Sequence, residues 1–282
     1  MRLHASHACL TEATYTPSHK EVIGMSGRAT LCVTLDNLGC AAQVGLGEAV
    51  RPDPDEPGLK ALPRALTLFD ELGITATFFV EGWNGLHHPD AIQSMAAHGH
   101  EVGLHGWVHE RWSELTDDQR EVLLFDGTAS LRSAGVEPTG FRAPGGYRGG
   151  RTAQVLAELG YTFDSSIDKE TENDPLSVRP LPEGLTNIPW HWDMIDYYQY
   201  YMHPEGERSP AQLLDHFNHR LDDAIATAGL VTLIVHPFVS FTDGGDRFRV
   251  LHDFLARAVA SPDVDVVSAG QLADRSRTGM AE

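Results

Sequence analysis

The chain has 282 residues, and 41% of them are hydrophobic, so it is long enough to bury a full core within one α/β domain. Its 21 Lys and Arg residues and 40 Asp and Glu residues give a formal net charge of -19, which argues against nucleic acid or an anionic membrane as a partner. The odd count of three cysteines gives no disulfide framework, and neither a secretory-signal pattern nor an apolar run of membrane-spanning length occurs, which predicts a reduced, cytoplasmic protein.

Three segments are predicted along the chain. Residues 1–28 are polar and irregular and are predicted to form a flexible N-terminal extension. Residues 29–276 are predicted to form one α/β domain, and residues 277–282 a C-terminal tail.

Strand-like runs, rich in β-branched and aromatic residues, alternate with helical patterns. The runs lie at residues 31–36, 76–80, 101–105, 140–143, 161–164, 185–189, 231–236 and 264–268. Three helical patterns open with proline and stop at glycine, at residues 63–72, 89–98 and 210–228. This repeated alternation predicts parallel strands joined by right-handed crossovers.

Side chains suited to catalysis or binding occur where five of the predicted strands end. They are Asp36, His105, Arg142, Trp192 and His236. In barrels of β/α units the active site forms at the carboxyl ends of the strands. We therefore predict that these residues converge on one pocket.

His105 and His109 form an H-x-x-x-H pair. On one face of a helical turn, this spacing would bring two imidazoles to one metal ion. The chain has 15 histidines, so roughly one such pair is expected by chance. The context favours a metal site, because the pair follows a tight turn and a short apolar strand, which form a rigid scaffold.

Four motifs, in the same order, resemble those of the polysaccharide deacetylases of carbohydrate esterase family 4. Residues 34–39 (T-L-D-N-L-G) are similar to the family's T-F-D-D-G, 105–109 (H-G-W-V-H) to H-[ST]-x-x-H, 141–145 (F-R-A-P-G) to R-x-P-[YF], and 233–236 (L-I-V-H) to L-x-H. The resemblance runs from about Leu31 to about Leu272 and implies a distorted, incomplete (β/α) barrel with about seven parallel strands. Asn37 departs from the family's metal-ligand Asp, and Gly145 from its aromatic residue.

The segments that flank these motifs resemble one branch of the superfamily. Residues 161–166 (Y-T-F-D-S-S), 188–196 (I-P-W-H-W-D-M-I-D) and 236–240 (H-P-F-V-S) are similar to intracellular peptidoglycan-deacetylase-like proteins, cyclic imide hydrolases and metal-independent allantoinases. The resemblance implies a hydrolase of carbon-nitrogen bonds other than peptide bonds. N-deacetylation of an amino sugar or small N-acylated metabolite is the leading expectation. Opening of a cyclic imide or ureide is the alternative, and a sugar-binding homologue that has lost catalysis is a third.

The resemblance also implies catalytic roles. Asp36 would be the general base, Arg142 would hold and orient it through a bidentate contact, and His236 would protonate the leaving nitrogen. Pro144, Trp192 and Asp196 would contact substrate; the last two match a W-x-x-x-D pattern of the branch. The expected partner is a small-molecule or amino-sugar substrate, and homo-oligomerisation is left open.

One divalent metal ion is the implied cofactor, zinc in the first place, with cobalt, nickel or manganese as substitutes. His105 and His109 would hold it together with an oxygen of Asn37, with Asp36 as the base, or with an oxygen of Asp36 itself, with the base elsewhere, as in the imidase-like branch. The choice of the third ligand stays open at this point. An amide oxygen is a poorer zinc ligand than a carboxylate, so with Asn37 as the third ligand the metal would be bound weakly.

Overall fold

A computed structural model of the protein describes residues 27–48, 51–168, 176–242 and 244–279. Most of the predicted N-terminal extension, residues 1–26, and the end of the predicted tail, residues 280–282, lie outside the described residues. The last described helix continues to Gly279, past the predicted domain end at residue 276. None of the helices in these ranges is long and apolar enough to cross a bilayer.

One sheet contains the nine strands of the described residues, in the order β6-β7-β5-β4-β3-β2-β1-β8, with β9 also paired to β1. The strands are β1 (Ala29–Asp36), β2 (Thr77–Val80), β3 (Glu101–Leu104), β4 (Gly140–Phe141), β5 (Phe163–Asp164), β6 (Arg179–Pro180), β7 (Thr186–Asn187), β8 (Leu230–Val235) and β9 (Val264–Val267). The sheet is curled into a half-barrel, as expected for a distorted, incomplete (β/α) barrel.

All eight predicted strands occur, and all of them pair in parallel. The ninth strand, β6, was not predicted, and it pairs antiparallel with β7. It has two residues and contains Pro180, which cannot donate a ladder hydrogen bond and is tolerated at a sheet edge. A segment this short has no periodicity that a sequence pattern could reveal.

The α-helices of the described residues flank the sheet and its strand ends. They are α1 (Ala41–Gly45), α2 (Pro57–Leu72), α3 (Gly82–His87), α4 (Pro89–Ala97), α5 (Asp117–Ser133), α6 (Thr152–Glu158), α7 (Pro210–Thr227), α8 (Pro237–Ser240), α9 (Asp246–Ala260) and α10 (Ala269–Gly279). The predicted start of α2 at Pro63 was wrong by six residues. The Glu56 side chain accepts hydrogen bonds from the amides of Gly58 and Leu59, so the helix begins at Pro57 and Pro63 lies inside it.

Strand β1 lies at the centre of the core, and all eight of its residues are buried. β8 pairs along one of its edges, while β2 and β9 share the other edge. Because the strands β1, β2, β3, β4 and β8 are parallel, their carboxyl ends meet at one end of the half-barrel. The candidate site lies there.

Candidate active site

Four of the predicted site residues take their positions from the ends of parallel strands. Asp36 is the last residue of β1, while His105, Arg142 and His236 directly follow β3, β4 and β8. All four line one cavity of about 460 Å³, together with Asn37, His109 and Trp192. The structure therefore brings seven of the nine predicted site residues to one cavity.

Arg142 is almost completely buried and holds Asp36 by a single contact. Its Nη1 donates to Oδ1 of Asp36 at 2.6 Å and to Oγ1 of Thr34 at 2.9 Å. Its Nη2 and Nε donate to Oγ and to the carbonyl oxygen of Ser165 at 2.8 and 3.2 Å. The guanidinium also lies 4.3 Å from the centre of the Phe79 ring. The expected bidentate contact with Asp36 was wrong, because Nη2 and Nε of the guanidinium bind Ser165, which directly follows β5.

The environment of Asp36 favours its charged form. Burial by itself would raise the pKa of this carboxyl group, but the nearby Arg142, His105 and His236 together lower the pKa below its ordinary value. Asp36 is therefore anionic at neutral pH and able to accept a proton.

His236 is paired with a second buried carboxylate, Asp196. Nδ1 of His236 lies 2.7 Å from Oδ1 of Asp196, and the His236 amide donates to Oδ2 at 2.9 Å. Burial alone would lower the pKa of His236, but Asp196 outweighs it and raises the pKa above the ordinary value. Because the carboxylate engages Nδ1, Nε2 is left as the ring nitrogen that can donate a proton towards a ligand.

Asp196 does not line the cavity. The expected contact of this residue with substrate was therefore wrong. Its Oδ2 also accepts from Oγ of Ser240 at 2.6 Å, and its Oδ1 from the amide of Tyr197 at 2.6 Å. The side chain is 1% exposed and is absent from the cavity lining. With both oxygens bound by neighbours, Asp196 positions His236. An isolated bridge between Ile195 and Ile234 brings the Asp196 segment beside β8.

His105 and His109 lie on a turn, so the predicted helical turn was wrong. Gly106 and His109 both have positive φ, at 69° and 60°, and the two imidazole rings are 5.1 Å apart. Nδ1 of His105 lies 2.8 Å from the carbonyl oxygen of Arg142, which can only accept. Nδ1 of His105 therefore carries the hydrogen, and the lone pair of Nε2 is available to a ligand.

Both imidazoles are neutral at neutral pH, the form that binds metal ions. Burial is the main cause that lowers the pKa of His105, and burial followed by the proximity of His105 and His236 lowers the pKa of His109 to about 3. The turn that presents His109 is held by Glu110, whose carboxylate oxygens accept from the amides of Trp107 and Val108, both at 3.0 Å.

Asn37 supplies an oxygen that fits a third ligand. Its Oδ1 is buried without a hydrogen-bond partner among the described residues, and the residue has a left-handed φ of 62°. Within those same residues, no three His, Cys, Asp or Glu side chains converge as a metal site would require. The two imidazoles and Asn37 line the same cavity, and imidazole nitrogen and amide oxygen are donors that a divalent ion can take.

Aromatic rings form one wall of the cavity. Trp192 lies 5.1 Å from Trp190 and 6.0 Å from Tyr198, measured between ring centres. Tyr197 and Phe238 lie 5.7 and 5.5 Å from the ring of His236. Trp192 thus lies at the cavity as predicted. Pro144, also expected to contact substrate, is buried and absent from the lining, because its ring packs beside Gly106.

Ser165 is a functional residue that the sequence analysis missed. It binds Arg142 through two oxygens, and its Oγ donates to the carbonyl of Ile188 while its own carbonyl accepts from Nε1 of Trp190. It therefore connects the Asp36 pair to the aromatic wall. The available signal was the sequence D-S-S at residues 164–166, which begins at the last residue of a predicted strand.

The chain is similar in sequence to known deacetylases. A family model described as polysaccharide deacetylase matches residues 55–163, which include His105, His109 and Arg142. The peptidoglycan deacetylase of Helicobacter pylori is 30% identical over 151 residues, covering 52% of this chain and 48% of the relative. The peptidoglycan-N-acetylglucosamine deacetylase of Bacillus cereus is 31% identical over 107 residues, covering 38% and 50%. The chain spans about half the length of these curated relatives.

A solved Mycobacterium smegmatis structure, described as a polysaccharide deacetylase, matches with a TM-score of 0.77 and 28% identity over 94% of this chain and 96% of that one. Residues 55–163 therefore resemble the polysaccharide deacetylase family, and nearly the whole chain shares the fold of this Mycobacterium smegmatis structure.

Proposed function

We propose that this protein hydrolyses a carbon-nitrogen amide bond and removes an acyl group, acetyl in the simplest case, from the nitrogen of an amino sugar or small N-acylated metabolite. The observation that carries the proposal is the pair of buried carboxylate–cation contacts facing one cavity, Asp36 with Arg142 and Asp196 with His236. The names of the relatives, which are peptidoglycan and chitin deacetylases, support the same reaction class.

Asp36 acts as the general base in this proposal. As an anion at the cavity wall, it accepts a proton from the attacking water while the water oxygen bonds to the carbonyl carbon. Arg142 keeps the carboxylate in place and charged, and Thr34 and Ser165 keep Arg142 in place.

His236 acts as the general acid. The carbon-nitrogen bond breaks as Nε2 of His236 gives its proton to the leaving nitrogen, which departs as a neutral amine. Asp196 raises the pKa of His236, so the imidazole is protonated over more of the neutral pH range. The site returns to its starting state once Asp36 has passed its proton to solvent and His236 has taken up a proton from solvent.

His105, His109 and Asn37 would hold one divalent ion, for which zinc is the first choice. Such an ion supplies a Lewis acid for the substrate carbonyl and lowers the pKa of water near it. Because one of its three ligands is a neutral amide oxygen, we expect weaker binding than at a site with a carboxylate ligand.

The proposal is tested by measuring metal content and acetate release together. The purified protein, supplied with zinc, cobalt, nickel or manganese, should release acetate from N-acetylated substrates. The double variant His105→Ala, His109→Ala should lose both the bound metal and the activity while staying folded. His219→Ala, on the exposed face of α7, is the matched control and should change neither. Full metal occupancy in the double variant would contradict the assigned ligands.

Ring opening of a cyclic imide or ureide is the second candidate, supported by the aromatic wall beside the His236 acid. The chemistry at Asp36 and His236 would be the same, and the product would remain one molecule. Assays on succinimide and hydantoin beside the acetamides distinguish the two. If no substrate of either kind reacts at saturating metal but ligands still bind, the third expectation, a binding protein without catalysis, replaces both.

A further inference from the structure

The part of the cavity wall outside the proposed catalytic and metal-binding residues is mostly apolar. Gln43 and Glu48, from α1 and the turn after it, are its amide and carboxylate side chains. The remaining lining residues are small, aliphatic or aromatic, namely Ala42, Leu46, Ala143, Gly145, Gly146, Trp190, Trp192, Ile195, Tyr197, Tyr198, Met202, Ile234 and Phe238. This composition restricts the ligands that the cavity accommodates.

One of the polar side-chain groups of this wall already forms a hydrogen bond within the protein. Nε1 of Trp190 donates to the carbonyl oxygen of Ser165 at 2.8 Å, so it is not offered to a ligand. An amino sugar carries several hydroxyl groups, and each one that is buried without a partner weakens binding. Beyond Gln43 and Glu48, the other polar side-chain groups of this wall are Nε1 of Trp192 and the hydroxyls of Tyr197 and Tyr198; the rest of its surface is apolar, and flat or saturated rings gain from contact with it.

The chemistry also fixes which half of the substrate meets the rings. His236 gives its proton to the leaving nitrogen, so the group attached to that nitrogen lies beside His236. The rings of Tyr197 and Phe238 lie 5.7 and 5.5 Å from the His236 ring and 6.2 Å from each other. The amine part of the substrate is therefore the part that contacts these rings.

We infer that the substrates of this site are N-acylated amines whose amine part is an apolar ring, such as N-acetylated aralkylamines, and not polyhydroxylated amino sugars. The inference rests on the proposed function, because it uses the assignment of His236 as the acid. The reaction consumes water and releases a carboxylate and an aralkylamine; the carbon-nitrogen bond breaks, and the proton from His236 ends on the amine.

The first experiment compares three acetamides at saturating zinc: N-acetylbenzylamine, N-acetylglucosamine and N-methylacetamide. We expect kcat/KM for N-acetylbenzylamine to exceed that for N-acetylglucosamine by about 100-fold, mainly through a lower KM. Equal or faster turnover of the sugar would overturn the inference and leave the proposed function standing.

If no turnover is seen, ligand binding measured by tryptophan fluorescence distinguishes failure of the proposed function from failure of the inferred ligand preference. If none of the three acetamides reacts, the proposed function fails, and the substrate class fails with it. Benzylamine should still bind at least tenfold more tightly than glucosamine, which would leave a binding site with the inferred preference. Equal binding of the two amines would overturn that preference as well.

A variant pair tests whether the named rings carry the preference. Phe238→Ala should lower the ratio of kcat/KM for N-acetylbenzylamine to that for N-methylacetamide by about tenfold, because only the larger substrate reaches the lost ring. Phe125→Ala, which removes an exposed ring on α5 outside the cavity, is the matched control and should leave the ratio unchanged. Tyr197→Ala provides a second ring variant if Phe238→Ala does not fold. An unchanged ratio in a folded ring variant would contradict the inference.

Discussion

Asp36 and Asp196 are both buried carboxylates paired with a cation, yet they hold opposite positions in their pairs. Asp36 lines the cavity together with its partner Arg142, which is held by Thr34 and Ser165. Asp196 lies behind, and its partner His236 lines the cavity. Burial alone therefore does not decide which member of a pair reacts. In the proposed mechanism Asp36 reacts because a guanidinium such as that of Arg142 stays protonated, whereas His236 reacts because its partner Asp196 does not reach the cavity.

Glu81 is a third buried carboxyl group near the same strand ends and shows what the cations contribute. It follows β2, accepts hydrogen bonds from the Leu38 amide and from Nδ2 of Asn84, and has no ion pair within the described ranges. Burial, with a smaller contribution from nearby Asp36, raises the pKa of Glu81 to about 8. Without a cation, the carboxyl group stays neutral at pH 7 and serves to hold the chain after Asn37.

The largest expected effect comes from removing the reactive member of the second pair. His236→Ala should reduce amide turnover by roughly 100-fold or more, because the leaving nitrogen then departs unprotonated. Metal content should be unchanged, since the proposed ligands lie on other strands. Phenyl acetate is the control substrate, because phenolate departs without a proton and its hydrolysis should fall much less. An equal loss on amide and ester would remove the acid role.

Arg142→Lys tests the holding member of the first pair. Lysine keeps the charge but cannot donate to Asp36, Thr34 and both Ser165 oxygens from one planar group. We expect kcat to fall by roughly 30-fold, with little change in the thermal midpoint. Arg132→Lys, at the exposed ion pair with Glu137, is the matched control and should keep full activity. Unchanged turnover in Arg142→Lys would mean that Asp36 is oriented by other groups.

Asp196→Asn tests the holding member of the second pair and should have a smaller effect on rate, about tenfold. Asp196 raises the pKa of His236, so its loss should lower that pKa, and the alkaline limb of the kcat/KM profile should move to lower pH. Ser240→Ala removes a neutral hydrogen bond to Asp196 but keeps its charge, so the limb should stay in place. A lower rate without a moved limb would indicate a packing defect.

Glu81→Gln should have the smallest effect on turnover at pH 7, since Glu81 is already neutral there. Its effect is on stability. The folded-state pKa of about 8 lies above the ordinary value of 4.5, so the native protein binds more protons and loses stability as the pH rises through this window. The variant should lack this loss, which is on the order of 2 kcal/mol, when urea midpoints are compared at pH 6 and pH 9. Parallel pH dependence in both proteins would contradict the assignment.

Much of the fold and the site followed from local sequence patterns. The runs ending at Asp36 and His236 are apolar and β-branched, and a functional residue at the end of each predicted where the cavity would form. Eight strands were recovered for the same reason. The two-residue β6 and the early start of α2 were not, because the first has no periodicity and the second depends on the Glu56 cap.

By itself the sequence determined which residues end the parallel strands, because side-chain periodicity and residue type are local properties. Only the tertiary structure decided their contacts. Arg142 binds Asp36 across 106 positions of the chain, and Asp196 binds His236 across 40, so both depend on which strand ends lie side by side. The same holds for the oxygen of Asn37, which has no hydrogen-bond partner among the described residues, and for the apolar wall. Whether a carboxylate reacts, holds a neighbour or stays neutral depends on the cations and donors around it, and these come from distant segments.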